Sequence, residues 1–197
     1  MTYEEIFMRR AILSNIPLVF EGRKLGKSEV ASVMLMRVAY NKKTEEFNKD
    51  MVDIEKGLKK EGFDERAQAI AAMEDVDRRK KAAEEWKEGD KDEAGKPIEK
   101  PAMPTEEELK KAEETRKTKE DYDKELAELN ENYSEARKKK LEESTTIANG
   151  TFTRSEYAEI CELIGSEGTI ELFGFADEAV KVARAEFLAM IATHLVA

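Results

Sequence analysis

One histidine and one cysteine in 197 residues set a narrow limit on the chemistry this chain can do. His194 has no second imidazole with which to build a metal site or an acid–base pair, and its place on an apolar-striped helix makes it a structural residue. A lone Cys161 excludes an internal disulfide and every cysteine-cluster metal site. On the inward face of a predicted helix it reads as a small buried hydrophobe, with a nucleophilic thiol as the lesser alternative. Asp90-Lys91-Asp92-Glu93-Ala94-Gly95 imitates the opening of a calcium loop. Its fifth position is Ala94 and its twelfth Pro101, where oxygen ligands are required. Paired carboxylates abound, but on solvated helices they carry no information about acid–base work. The expectation is a protein that is not an enzyme, with no cofactor, no metal and no small-molecule substrate.

Charge narrows the partners. The formal net charge is −10, whereas phosphate contacts need a concentrated basic face. The two basic runs, Arg78-Arg79-Lys80-Lys81 and Arg137-Lys138-Lys139-Lys140, are each followed by acids, Glu84-Glu85 and Glu142-Glu143. Both read as solvated helix faces, so no specific nucleic acid is expected. The acidic start Met1-Thr2-Tyr3-Glu4-Glu5 is unlike a signal peptide, and no apolar run is long enough to span a membrane. A cytosolic setting follows as the expectation.

What must position the remaining residues is a pair of long charged helices, Ser28 to about Lys60 and Thr105 to about Ala148. Residues 42–148 hold 25 of the 34 basic and 32 of the 44 acidic residues. In the first helix Val30, Val33, Tyr40, Phe47, Met51, Ile54 and Leu58 follow a heptad seam. In the second, Leu126, Tyr133 and Ile147 fill one heptad position and Tyr122, Leu129 and Ala136 the other. A 3.5-residue repeat keeps one narrow apolar seam facing a partner while all other positions stay charged. The economical pairing sets Phe47, Met51, Ile54 and Leu58 against Tyr122, Leu126, Leu129 and Tyr133, in one antiparallel hairpin or between subunits. Polar interruptions at Arg37, Thr44, Lys119 and Lys140 are candidates for fixing its register. Gly62 interrupts the first helix, Asp64 reads as a new N-cap, and helix should persist to about Lys87. The Gly- and Pro-rich stretch 89–104 breaks helix and is expected to be the mobile tip of the arm.

The flanks supply the globular part. Three Thr-x-x-Glu capping boxes, at Thr2, Thr105 and Thr153, mark helix starts. Ile16-Pro17-Leu18-Val19-Phe20 and Thr169-Ile170-Glu171-Leu172-Phe173 are the two strand candidates, expected to pair with each other. Asn149-Gly150 should cap the returning helix. Asp177 should open a last helix with Val180, Ala183, Phe187, Ile191 and Leu195 inward. Val30 to Tyr40 is apolar nearly all round, Met34 included, so it should be buried on every side, in this chain or in a neighbour. The predicted fold is mainly α: a long antiparallel hairpin, residues 42–148, inserted into a small α+β base with a short two-stranded sheet. Residues 1–41 and 149–197 together form that base.

The order of these segments carries a resemblance. The run Asn15-Ile16-Pro17-Leu18-Val19-Phe20 precedes a long helix and a charged stretch containing Asp92-Glu93-Ala94-Gly95-Lys96-Pro97. Then come a helix ending Cys161-Glu162-Leu163-Ile164 and the strand Thr169–Phe173. This resembles small helical proteins encoded among the structural genes of tailed bacteriophages, in which a Leu-Pro-Val-like strand and a closing strand flank a helical middle. The arm here is longer and the helix after Gly174 is additional. The resemblance implies a multi-copy virion or virion-assembly component in a ring, collar or tail, with copies of itself and other virion proteins as partners. It carries over no catalytic residue. The alternatives are a coiled-coil chaperone or adaptor, against which the Gly, Pro and charge at the tip count, and an accessory subunit of an enzyme.

Overall fold

The computed structural model describes residues 1–87, 99–148, 150–175 and 178–197. Among these the chain is mainly helical, with strands paired two by two. In chain order the elements are α1 (Tyr3–Ser14), β1 (Val19–Phe20), β2 (Arg23–Lys24), α2 (Lys27–Leu58) and α3 (Phe63–Glu85). After them come α4 (Glu106–Arg116), α5 (Lys119–Glu142), α6 (Arg154–Ile164), β3 (Thr169–Leu172), β4 (Val180–Ala183) and α7 (Arg184–Leu195). Most of the helix-breaking stretch 89–104, the calcium-like run Asp90–Gly95 included, lies outside the described residues, as do Asn149 and Asp177.

Contacts divide the chain into Met1–Asp53 with Glu135–Ala197, and Ile54–Ser134. The divisions fall inside α2 and α5, while the shift in composition sits at 41/42 and 148/149. Aromatic packing accounts for the difference. Phe47 meets the rings of Tyr3 and Phe7 at centroid distances of 5.2 and 5.0 Å. Lys140 Nζ lies 2.8 Å from Asp50 and 5.5 Å from the Tyr3 ring centroid. Phe47 therefore packs in the core around α1.

In the first unit the core is built from Ile6, Ile12, Leu13, Val33, Tyr40, Phe152, Ile160, Phe187 and Ile191, all buried. Capping boxes open α1, α4 and α6, each with the threonine hydroxyl on the third backbone N–H and the glutamate returned to the cap. Arg37 donates to the carbonyls of Leu13, Ser14 and Ile16 at 3.2, 3.2 and 2.7 Å. It thereby satisfies carbonyls that a helix end leaves without partners. Asn15 bonds Phe173 twice, donating to its carbonyl and accepting from its N–H, both at 2.8 Å. Its side chain ties the end of α1 to the chain leaving β3.

The sheets correct the expected pairing. Strand β1 joins β2 across Glu21-Gly22, both at positive φ (48° and 80°), and β3 joins β4. A two-residue turn with positive φ at both positions matches the twist of the flanking strands. The nearest partner closes the smallest loop, so β1 does not seek β3. Residues 180–183 are strand, and the last helix starts at Arg184. Val182 and Val180 stand opposite Ile170 and Leu172, a β-branched pairing that outweighs the helical spacing of Val180 and Ala183.

The returning helix also differs from its expected form. It breaks at Lys117-Thr118, where Thr118 N–H and Oγ1 both bond the Thr115 carbonyl, and it ends at Glu142 instead of Ala148. Ile147 is therefore not a heptad residue, and Gly150 caps nothing in α5. Beyond Glu142 the backbone leaves the helix to be held by three other segments. Thr145 and Met1 exchange N–H···O bonds of 2.8 and 3.2 Å. Tyr40 Oη donates 2.9 Å to the Gly150 carbonyl inside the core. Phe152 N–H donates to Leu195 O at 2.6 Å, and Ala197 N–H to Phe152 O at 3.0 Å. A Cβ at Gly150 would stand 3.2 Å from Ile147 Cγ2 and 3.3 Å from Tyr40 Oη, so only glycine fits without displacement.

In the second unit α3 begins at Phe63 behind Gly62 (φ 72°), which takes the N-cap position expected of Asp64. It packs on α4 through Met73, Val76, Leu109 and Ala112. Phe63 and Tyr122 rings lie 5.4 Å apart. Ion pairs Arg66–Glu125, Lys119–Glu74, Arg116–Asp77 and Arg79–Glu108 link α3 to α4 and α5, with N···O distances of 2.6–3.1 Å.

Removing the Tyr40 hydroxyl leaves the buried Gly150 carbonyl without its partner, a loss of about 1–3 kcal/mol. Tyr40→Phe should therefore lower the thermal midpoint clearly, while Tyr133→Phe, on a half-buried ring, should not. Equal midpoints for the two variants would show that the Tyr40–Gly150 bond does not hold the segment.

Candidate functional site

The buried stripe of α2 runs Val33, Met36, Tyr40, Thr44, Phe47, Met51. Its opposite stripe is exposed throughout: Lys27, Ala31, Met34, Leu35, Val38, Lys42 and Glu45. Residues 27, 31, 34, 38, 42 and 45 follow one another by three or four, and Leu35 lies four after Ala31 and three before Val38, so all share one broad helix face. Leu35 is 71% exposed, Val38 63% and Met34 45%. The expectation that Val30–Tyr40 is buried on every side fails for this chain by itself, and Met34 is the named site residue that it places in solvent. The packing of α1 and of the α6 N-terminus, where Glu156 accepts from Ser32, leaves the third side bare.

The other expected packing residues divide between the units. Val33, Tyr40, Phe47 and Met51 are buried and Val30 half-buried in the first. Leu129 is buried in the second, with Ile54, Leu58, Tyr122, Leu126 and Tyr133 half-buried. Leu58 and Leu129 line a small recess with Phe63, so part of the expected seam meets there. Of the polar interruptions, Thr44 bonds only its own helix, at the Tyr40 carbonyl. Arg37 caps α1. Lys140, with a side chain only 15% exposed, is held between Asp50 and Glu143, and those carboxylates raise its pKa well above the ordinary lysine range. Lys119 bridges to Glu74.

Cys161 is half-buried instead of buried. It lies beside Tyr157, whose phenol is pushed up to about 12 by burial first and by the neighbouring thiol second. His194 is half-buried in the last turn of α7. Among the described residues no group of three or more His, Cys, Asp or Glu is placed to hold a metal ion. None of the described helices is long and apolar enough to cross a membrane.

A second surface was not anticipated. Between α3 and α4 lies an open groove of about 400 Å³, floored by Ala69, Ala72, Met73, Val76 and Ala112 and rimmed by Arg79 and Glu108. Alanines at 69 and 72 create the space, and small residues on one face were the signal available in the sequence. Glu108 is pulled down to about 2, first by the Thr105 backbone N–H, then by Arg79 and the Thr105 hydroxyl.

With this geometry in hand, comparison adds no relative: the chain matches no protein-family model, no curated protein and no solved structure. The class the structure itself defines is, among the described residues, a mainly helical protein with small antiparallel strand pairs, a bare apolar helix face and a shallow apolar groove.

Because the folded pKa of Glu108 is depressed from 4.5, its stabilisation is complete above that value and fades as pH falls through it towards about 2. Glu108→Gln should therefore melt lower than the parent at pH 7, and the gap should close as the pH approaches 2. A gap independent of pH would mean that the carboxylate charge does not cap α4.

Proposed function

We propose that this chain is a non-enzymatic structural subunit working in several copies, joined to its neighbours through the exposed face of α2. The observation that carries the reading is the run Ala31, Met34, Leu35 and Val38, bare on a chain where 40% of residues are charged. Contiguous exposed apolar surface on a soluble helix marks an interaction site more often than chance decoration. The order of segments described above supports placing that subunit in a tailed-phage particle, in a ring, collar or tail, with copies of itself and other virion proteins as partners. In the same reading residues 42–148 form an antiparallel helical hairpin inserted into a base of residues 1–41 and 149–197. The reversed order of the ion pairs linking α3 to α4 and α5 speaks for it. A coiled-coil chaperone or adaptor is the second reading, and the α3–α4 groove is what favours it.

Absolute mass by light scattering over a concentration series tests the first. The protein should run as an assembly larger than one 22.4 kDa chain, and Leu35→Glu with Val38→Glu should dissolve it without loss of helical circular dichroism. A parent that stays monomeric at every concentration, alone and with extracts of its native source, would remove the reading.

A further inference from the structure

Resting on that proposal, we infer that the partner on the α2 face is a second copy of the same helix, set antiparallel about a two-fold axis that crosses the exposed face at the level of the buried Met36. An isologous contact requires a surface complementary to itself, residue i meeting j while j meets i. The α2 stripe has this property. Met34 and Val38 lie two residues either side of Met36, so an antiparallel copy sets Met34 against Val38 twice, with Leu35 near the axis facing its own copy. Lys27 and Glu45 lie nine residues either side, on the same exposed stripe. The axis that pairs the apolar residues therefore also brings each Lys27 to the other chain's Glu45.

Neither Lys27 nor Glu45 forms an ion pair with another described residue. One end of the stripe thus holds the unengaged Lys27 and the other the unengaged Glu45, with Lys42 about one turn inward of it, while Ala31 to Val38 between them is apolar on the exposed face. A parallel arrangement would place Lys27 on Lys27 and Glu45 on Glu45, with like-charge repulsion at both ends. Shifting the antiparallel register by one turn would separate the charges and move Met34 off Val38. Charge and apolar pattern select the same geometry.

Two measurements read this out on the full chain. Lys27→Glu alone, and Glu45→Lys alone, should each raise the dissociation constant by about tenfold, since each places two like-charge contacts in the interface. The double variant should return it to near the parent value. With Cys161→Ser as background, a short bis-maleimide should join two copies through Leu35→Cys and not through Val52→Cys. Val52 is equally exposed on α2, but in the antiparallel pair it stands roughly 50 Å from its copy. Restored affinity with selective linking at position 35 supports the pairing. An assembly that Leu35→Glu dissolves, but that the charge swap does not rescue or that links equally at 52, overturns the antiparallel two-fold while leaving the multi-copy reading intact. A chain that never associates overturns both.

Discussion

Residues 144–148 and 150–152 hold the first unit together. This short non-helical passage sits where α5 has ended and α6 has not begun, so its backbone polar groups have no ladder of their own. They are satisfied from three directions: by Met1 at Thr145, by Tyr40 at Gly150, and by Leu195 and Ala197 at Phe152. Buried N–H and C=O groups without partners cost more than ordinary bonds gain, so each of the three contacts constrains its neighbours. Phe152 is buried between the same segments. The chain's two terminal stretches and α2 are consequently positioned by one passage, and α1 and α7 can share a core although most of the sequence separates them.

The second unit is stabilised differently. Met73, Val76 and Ala112 form a small apolar cluster with Leu109 against it, Phe63, Ile70, Ala83 and Leu129 are buried as well, and ion pairs join α3 to the returning helices. Exposed ion pairs are worth only a few tenths of a kcal/mol each, yet they penalise every register but one. Arg66, whose Nη2 reaches both oxygens of the shielded Glu125 carboxylate, is the least exposed of them. Charge at this density keeps the helices solvated and leaves their partner choice to geometry.

How far the sequence spoke follows from the same physics. Signals confined to four consecutive residues were legible: the capping boxes at Thr2, Thr105 and Thr153 formed as written, because hydroxyl and carboxylate find the adjacent backbone wherever the chain later goes. The helical character of α2 and α3 was legible from period and propensity. What was hidden depended on distant partners. Strand β4 exists because Ile170 and Leu172 lie opposite Val182 and Val180. The chain leaving α5 is held at Thr145 by Met1, more than a hundred residues away. The Tyr40–Gly150 bond has no local signature at all. Heptad spacing also could not show that the Phe47 ring meets Tyr3 and Phe7. As for the candidate site, the sequence showed that Val30–Tyr40 has too much apolar surface. Which side would be left bare required knowing where α1 and α6 pack.

That bare side is also what the energetics make most consequential. Fully burying a Leu, Val or Met side chain contributes about 1.5–3 kcal/mol. Under a two-fold axis Met34, Leu35 and Val38 would each count twice, giving on the order of 10 kcal/mol before costs. Association consumes ~4–15 kcal/mol in lost rigid-body freedom. The apolar stripe alone therefore brings two copies to the edge of stable pairing without committing them. Near such a balance the end charges decide the outcome, because two Lys27–Glu45 contacts at a few tenths to one kcal/mol each are of the same size as the remaining margin. A stripe with four more apolar residues would associate in many registers, and one with none would not associate. The short apolar centre with opposed charges at its ends is the composition that makes one arrangement preferable to its alternatives while leaving it reversible.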